Sequence, residues 1–598
     1  MNKSSDKLLS RLFFSMLPVQ ILIFAMGSIN TIVAGTIAGR YIDSTAVGVI
    51  GLYYSMVNVM SAVGSVLLGG TTVLCGRYMG KGEIDKTEGI FSLNLTVTFI
   101  AGVILTVCSL LISGPIADIL GSNAELKGKL VQYIVGYAIG IIPMLLAQQI
   151  SSFLQMERQS TRGYIGIAGM IISNFILGIV LVGFLHMGIW GLALATSFSN
   201  LVYFLILVPY YFSKKCQLHF GLKKILWKDL GRLIKIGVPG ALLVFCIALR
   251  VIVINRVLLK YSGNDGLSAM SSFNMICGLL IAYCLGNGSV VRMLTSVFVG
   301  DEDKSSMKKI LKLALTKGLL VSVVFAIFMM VIAPFVTSIF FPDKTSNVYK
   351  LAYQLLMIYS ACIPLILICQ ICTNYLQATG HVIFVNIQSV FDGFFAMVIP
   401  SVILAPIMGA MGVWLSNPIG IALTLLTVPI YNIIFWKRLP RNVDELMFLR
   451  PSFGVADGDI IDVPISDISE ATAASEKIHK FCAAHSMGKK AANYSALCLE
   501  EISTYIVEHG FTADKKKHSL NVISVFKDEK VILRIKDDCR PFDPKDMAYL
   551  ATGADDLDNL GIKMVYDIAD DVNYQNMLGL NVLTITIDDK NQEKKKKT

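Results

Sequence analysis

Charge is scarce in this sequence: 16% of its 598 residues are Asp, Glu, Lys or Arg, where about a quarter is usual for a soluble domain. With 54% apolar residues and a mean hydropathy of +0.64, that shortage excludes a chain that is soluble throughout. A disulfide framework is missing too, because the twelve cysteines are scattered. Cys369-Gln-Ile-Cys372 is the one close pair, and inside an apolar helix it reads as two small buried side chains rather than redox or metal chemistry. Cys482, Cys498 and Cys539, in the polar last part of the chain, point to a reducing compartment. A cleavable leader is not expected either. The apolar run behind Lys3, Lys7 and Arg11 reaches Gly39, far beyond the roughly 7 to 15 residues of a signal-peptide core, which predicts a retained first helix. No metal-ligand motif is present, and after Trp436 the long apolar runs stop.

What is there is a repeat. Pro18, Pro143, Gln149, Gly188 and Gly191 recur as Pro239, Pro364, Gln370, Gly409 and Gly412, a constant offset of about 221 residues that marks a duplicated unit. Apolar runs long enough for a bilayer core fall near 13–38, 46–72, 91–113, 131–155, 163–184 and 189–212 in the first copy. The second copy gives 237–259, 266–290, 310–340, 351–377, 382–405 and 409–435. The expected fold is an all-α polytopic membrane body of twelve helices in two six-helix lobes, 1–215 and 216–440, joined by the basic segment from Lys214 to Lys235. An even count per lobe gives both copies one direction, with the pseudo-twofold axis along the membrane normal. Lys and Arg gather in the connections on one side, which predicts a plasma-membrane protein with both termini cytoplasmic. Much of the net charge of +10 lies there and needs no nucleic-acid partner. The Lys594 to Lys597 run, in a basic tail 589–598, suits either contact with anionic lipid or a simply disordered end.

Ionisable groups inside spans are costly and mark function by default. Arg250 and Asp392 are the candidates, either as an ion pair or facing a water-filled cavity. Neutral polar residues add Asn30, Gln149 and Gln370; the last two are related by the repeat, so that both approach a shared axis if they point inward.

These halves, with Gly80-Lys-Gly-Glu-Ile-Asp85, Ile29-Asn-Thr-Ile-Val-Ala-Gly35, Met187-Gly-Ile-Trp-Gly-Leu-Ala-Leu-Ala-Thr196 and Tyr375-Leu-Gln-Ala-Thr-Gly380, resemble the multidrug and toxic compound extrusion (MATE) family over about 10–440. The resemblance implies a two-lobe transporter that alternates access and exports organic cations or other amphiphiles against entry of Na⁺ or H⁺. It also implies an acidic residue in the first span, where this chain has Asn30. An amide can ligate Na⁺ but cannot carry a proton. Asp392 is the remaining membrane carboxylate, and Arg250 opens the way to an anionic or zwitterionic solute.

Beyond a linker at 441–458, residues 459–588 alternate strands (459–463, 520–526, 531–536, 582–587) with helices (467–485, 489–509, 560–568), the pattern of an α/β two-layer sandwich. Leu497-Cys-Leu-Glu-Glu-Ile-Ser-Thr-Tyr-Ile-Val-Glu-His509, Ile535-Lys-Asp-Asp-Cys-Arg-Pro-Phe-Asp-Pro544 and Asn559-Leu-Gly-Ile-Lys-Met-Val-Tyr-Asp-Ile-Ala-Asp570 resemble the GHKL ATPase fold, particularly the small anti-sigma-factor kinases. That resemblance gives Glu501 the catalytic position, Asp537 the adenine-reading one, and places Gly561 and Asn581 at the nucleotide site. It also implies an Asn ligand for Mg²⁺ where Tyr505 stands, a poor ligand for a hard octahedral cation. Cys539 and Asn559 stand where it implies glycine. The expected function is ion-coupled export of small organic solutes, regulated by a degenerate nucleotide-binding domain that takes ATP or docks a cytoplasmic regulatory protein. The alternative is a receptor whose transporter-like body senses a small molecule.

Overall fold

The computed structural model describes residues 3–42, 44–120, 124–157, 159–213, 216–450, 453–511, 518–541, 544–545 and 557–589. The Lys594 to Lys597 run, Lys214, Lys215, Phe542 and Asp543 lie outside them. Apolar runs become helices α1 (Lys3–Tyr41), α2 (Ser44–Gly80) and α3 (Ile84–Leu111). The fourth span, α4, is a pair, Leu126–Ala138 and Ile141–Met156, bent by 50° just before Pro143. Then come α5 (Ser160–Phe184) and α6 (Gly188–Phe212). The helix Trp227–Gly300 breaks at Gly263 (φ 61°), so its two arms, α7 and α8, are separate spans. The second lobe continues with α9 (Lys304–Phe340), α10 (Asn347–Thr379), α11 (Val382–Met408) and α12 (Ala410–Trp436). Counted this way the described residues hold twelve spans, six per lobe.

The repeat has a physical basis. Gly188 (φ 58°) and Gly409 (φ 60°) turn the chain into α6 and α12, a left-handed conformation that side chains resist. The turns after α2 and α8 also match. Gly82 N donates to Met79 O and Glu83 N to Tyr78 O, while Glu302 N donates to Val299 O and Asp303 N to Phe298 O. The connection between lobes is pinned to the first: Glu157 accepts from Gln217 N (2.8 Å), and Glu88 accepts from His219 N (3.0 Å) and pairs with Lys224.

The lobes meet along a seam of small residues in α2, α7 and α8, which lets backbones touch. An added Cβ would stand under 3.0 Å from Leu233 O at Gly70, from Val66 O at Gly237, from Val297 O at Gly80 and from Arg77 O at Gly300. Gly76 packs on Ser296. Beyond Gly278, which abuts Ser28 of α1, the buried apolar clusters keep to one lobe each, Ala34, Tyr53 and Tyr133 in the first and Ile254, Phe273 and Trp414 in the second, and a Cβ at Gly35 or Gly51 would meet nothing within 4 Å. The membrane body is therefore closed on the side that carries the C-terminal domain and parted on the other.

The C-terminal domain is an antiparallel sheet ordered β1-β2-β3-β5-β4, built from β1 (Ile460–Ile465), β2 (Leu520–Lys527), β3 (Lys530–Asp537), β4 (Asp571–Met577) and β5 (Leu580–Asp588). Helices α13 (Ile468–Ala484), α14 (Lys489–Tyr505) and α15 (Leu557–Ile568) accompany it. Val463, Ile478, Leu499, Val522, Leu533, Ile535 and Ile585 form the core between sheet and helices. The edge strand β4 is an addition to the sequence reading; Asp571-Val-Asn-Tyr-Gln-Asn-Met577 is too polar to stand out. The opposite face of the sheet is also covered. Leu578, Leu580 and Val582 join one apolar cluster with Leu8 and Leu12 of α1, Met156, Phe298, and Met447 to Leu449 of the linker. The sheet thus lies between its own helices and the membrane body.

Candidate functional site

In the second lobe, mid-way along α7, the Arg250 side chain makes, among the described residues, a single hydrogen bond, a long one (3.4 Å) to the backbone oxygen of Asp392. The Asp392 carboxylate instead accepts from Thr424 Oγ1 of α12 (3.1 Å). Arg250 and Asp392 come together, but among the described residues they form no ion pair within 4.0 Å. Asp392 sits where α11 widens into a π-helical turn, Phe391–Phe395, a distortion common at functional positions. The first lobe holds the neutral counterpart: Asn174 Nδ2 donates to Asn30 Oδ1 (3.1 Å), and Asn30 Nδ2 reaches Met170 Sδ (3.6 Å). Asn30 and Arg250 are both half-buried, as is Asp392. The membrane body therefore offers one ionic and one amide cluster in repeat-related places.

The two glutamines do not meet. Gln149 is wholly buried inside the first lobe, accepting from Asn94 (3.1 Å) and donating to Gly64 O (3.1 Å). Gln370 stays beside Asn374 one turn along α10. Sequence reasoning also missed two arginines. Arg77 reaches across the seam from α2 to Ala378 O of α10 (2.7 Å). Arg292 donates to Asn374 Oδ1 (3.1 Å) and Gln377 Oε1 (3.2 Å) under the same seam. The eighth span, expected to end at 290, runs to Gly300. The signal was present, because the apolar pattern resumes as Met293-Leu-Thr-Ser-Val-Phe-Val299.

In the C-terminal domain Asp537 ends β3 with its carboxylate on the helix side. Oδ1 accepts from Asn581 Nδ2 (2.7 Å) and from Cys539 N (2.9 Å), and Asn581 is oriented by Tyr574 and Asn576. Burial pushes Asp537 up to about 6, against those two bonds, which pull it down. Glu501 faces α15: a Cβ added at Gly561 would stand under 3.0 Å from Glu501 Oε2. Tyr505 ends α14 with its ring stacked on His509 (centroids 4.4 Å apart). An adenine-reading carboxylate fits this arrangement. For a Mg²⁺-triphosphate the described residues fit less well, since the group one turn beyond Glu501 is a neutral phenol, a poor ligand for a hard octahedral cation. Among the described residues no group of three His, Cys, Asp or Glu side chains could hold a metal ion.

A family model described as MatE matches residues 19–181 and 239–407, and one described as histidine kinase-like ATPase domain matches 466–587. The chain is 23% identical over 428 residues to a Bacillus subtilis protein described as "Probable multidrug resistance protein YoeA", covering 69% of this chain and 90% of that one. It is 25% identical over 401 residues to "Multidrug export protein MepA" of Staphylococcus haemolyticus, covering 65% and 86%. A solved multidrug resistance MATE family transporter in an outward-facing conformation superposes with a TM-score of 0.66 at 17% identity, over 70% of this chain and 94% of that chain. A Pyrococcus furiosus MOP superfamily transporter, described as having a binding pocket of reverse polarity that suggests a different function, gives 0.65 at 17% identity over 70% and 94%. At these identities the structural likeness is one of fold.

Proposed function

Because the chain belongs to the MatE family of multidrug efflux transporters, we propose that it exports small organic solutes carrying an anionic group, by ion-coupled alternating access, under control of its C-terminal domain. The observation that carries this reading is the Arg250–Asp392–Thr424 cluster set against the uncharged Asn30–Asn174 pair. Arg250 has donors to spare for a carboxylate or phosphate. Asp392, beside it, is the group able to take up H⁺ or Na⁺ in exchange. The reverse-polarity pocket described for the Pyrococcus furiosus transporter supports a departure from cation export within this fold. The positive-inside bias supports a plasma-membrane protein with termini and C-terminal domain in the cytoplasm.

In proteoliposomes with an imposed Na⁺ or H⁺ gradient, Asp392→Asn should cut gradient-driven export at least tenfold while counterflow of the same solute persists. Arg250→Gln should cut transport of an anionic dye by a similar factor and spare a cationic one. Unchanged gradient dependence in the first, or equal loss of both dyes in the second, removes that residue from the scheme.

The C-terminal domain is read as a binder of adenine nucleotide rather than a phosphotransferase. Asp537 recognises an exocyclic amine only as the carboxylate, so protonation weakens binding. Affinity for a fluorescent ATP analogue should be flat above about pH 7 and fall roughly tenfold per unit below about 6. Asp537→Asn should abolish the slope; the same slope in that variant would assign it to another group.

A further inference from the structure

The sheet of the C-terminal domain holds both of the turns that the repeat makes equivalent. At the first-lobe turn, Asn573 Nδ2 on β4 donates to Gly82 O (3.4 Å). At the second-lobe turn, Arg534 on β3 donates to Asp301 O (2.7 Å) and pairs with its carboxylate (3.1 Å). Lys536 Nζ, two residues on, reaches Asp301 (2.8 Å) and Asp303 (3.2 Å). Rim pairs extend the grip on each lobe: Arg11 of α1 with Asp538 (3.0 Å), Lys527 with Glu302 (2.9 Å), and Lys309 with Asp462 (3.1 Å). Leu578 N also donates to Met156 O at the end of α4 (2.9 Å).

Two features make this more than a casual surface contact. Asp301, Asp303 and Lys536 are 4%, 2% and 5% exposed, and buried charges persist only with their partners in place. The contact also spans the seam, so that the lobes cannot part on this side while one rigid sheet stays bonded to both turns. We infer that the C-terminal domain is an autoinhibitory latch: docked, it holds the domain-side gate shut, and opening there requires the sheet to leave at least one lobe. The release lever is β3, whose pleat sends Lys536 to the membrane body and Asp537 to the nucleotide side. A ligand that shifts Asp537 shifts the backbone that carries Lys536. The latch rests on the regulatory reading above and gives it a direction.

The test uses the full chain with Cys108→Ser and two exposed rim pairs, Lys527→Cys with Glu302→Cys and Arg11→Cys with Asp538→Cys, each joined by a short bis-methanethiosulfonate spacer. One link should change export at most twofold, since the other lobe remains free to leave. Both links together should cut it at least tenfold, and reductant should restore it. In a second arm, Arg11→Glu with Lys527→Glu should raise export at least twofold with the solute KM unchanged. Full export by doubly linked protein, or failure of the spacers to bridge in membranes, overturns the latch. If doubly linked protein still exports and ATP still alters the wild-type rate, the latch fails and regulation stands. If linking stops export but no nucleotide alters it, the latch stands and ligand control fails.

Discussion

Gly237→Val should reduce export to background by preventing closure of the membrane body on its domain side. A Cβ at Gly237 would lie under 3.0 Å from the backbone oxygen of Val66, and the reciprocal contact places Gly70 against Leu233 O. Both obstacles are backbone inside packed helices, so no rotamer relieves the clash and the lobes must spread. Overpacking of this kind costs about 1–3 kcal/mol and occasionally more, enough to shift a gate equilibrium by one to two orders of magnitude. Export needs the seam to form and break, so losing the closed state stops the cycle. The measurement is labelling of Ser296→Cys, a fully buried seam position, by an impermeant thiol reagent from the domain side. Labelling should be slow in the parent and fast with Gly237→Val. Gly35→Val, whose Cβ meets nothing within 4 Å, is the control and should behave as the parent. Wild-type export by Gly237→Val would show that the seam is not the gate.

The repeat and the spans were legible because bilayer thickness imposes a length on apolar runs and duplication leaves an offset. The seam glycines were less so, since a glycine in an apolar helix does not announce what it touches. Arg77 and Arg292 were lost for one reason: a charge near a helix end reads as the end of the span, whereas both are held by Asn374, Gln377 and Ala378 at the lobe interface. Gln149 and Gln370 carried the repeat but not a shared site, because one symmetry-related amide is spent inside its own lobe. Docking of the C-terminal domain was not read, although a trace of it existed. Leu520-Asn-Val-Ile-Ser-Val-Phe526 is apolar at both strand parities, which in a sheet means cover on both faces.

Lys536→Met should undock the C-terminal domain, and the reason lies in what it leaves behind. Asp301 and Asp303 would remain buried together with only Arg534 to answer two carboxylates. Removing one partner of a buried ionic cluster costs about 3–5 kcal/mol, more than a surface ion pair contributes, so cross-link yield at the rim pairs should collapse. In the parent, burial raises Asp303, but the Lys536 ammonium and the bonds from Ser306 outweigh it and hold the carboxyl below its ordinary 3.8. Asp303 in the parent is therefore ionised at neutral pH, and its contribution to docking is lost only as pH falls through that depressed value. In Lys536→Met the sign reverses: with the ammonium gone, burial and the neighbouring carboxylate favour the protonated acid, so acidification from pH 7 to 5 should restore docking. Adding Asp303→Asn to Lys536→Met removes the surplus charge and leaves the Arg534–Asp301 pair intact, which should recover most of the cross-link yield at neutral pH. Docking that is unchanged in the single variant, or that weakens further on acidification, would mean the cluster is solvated and does not hold the sheet to the second lobe.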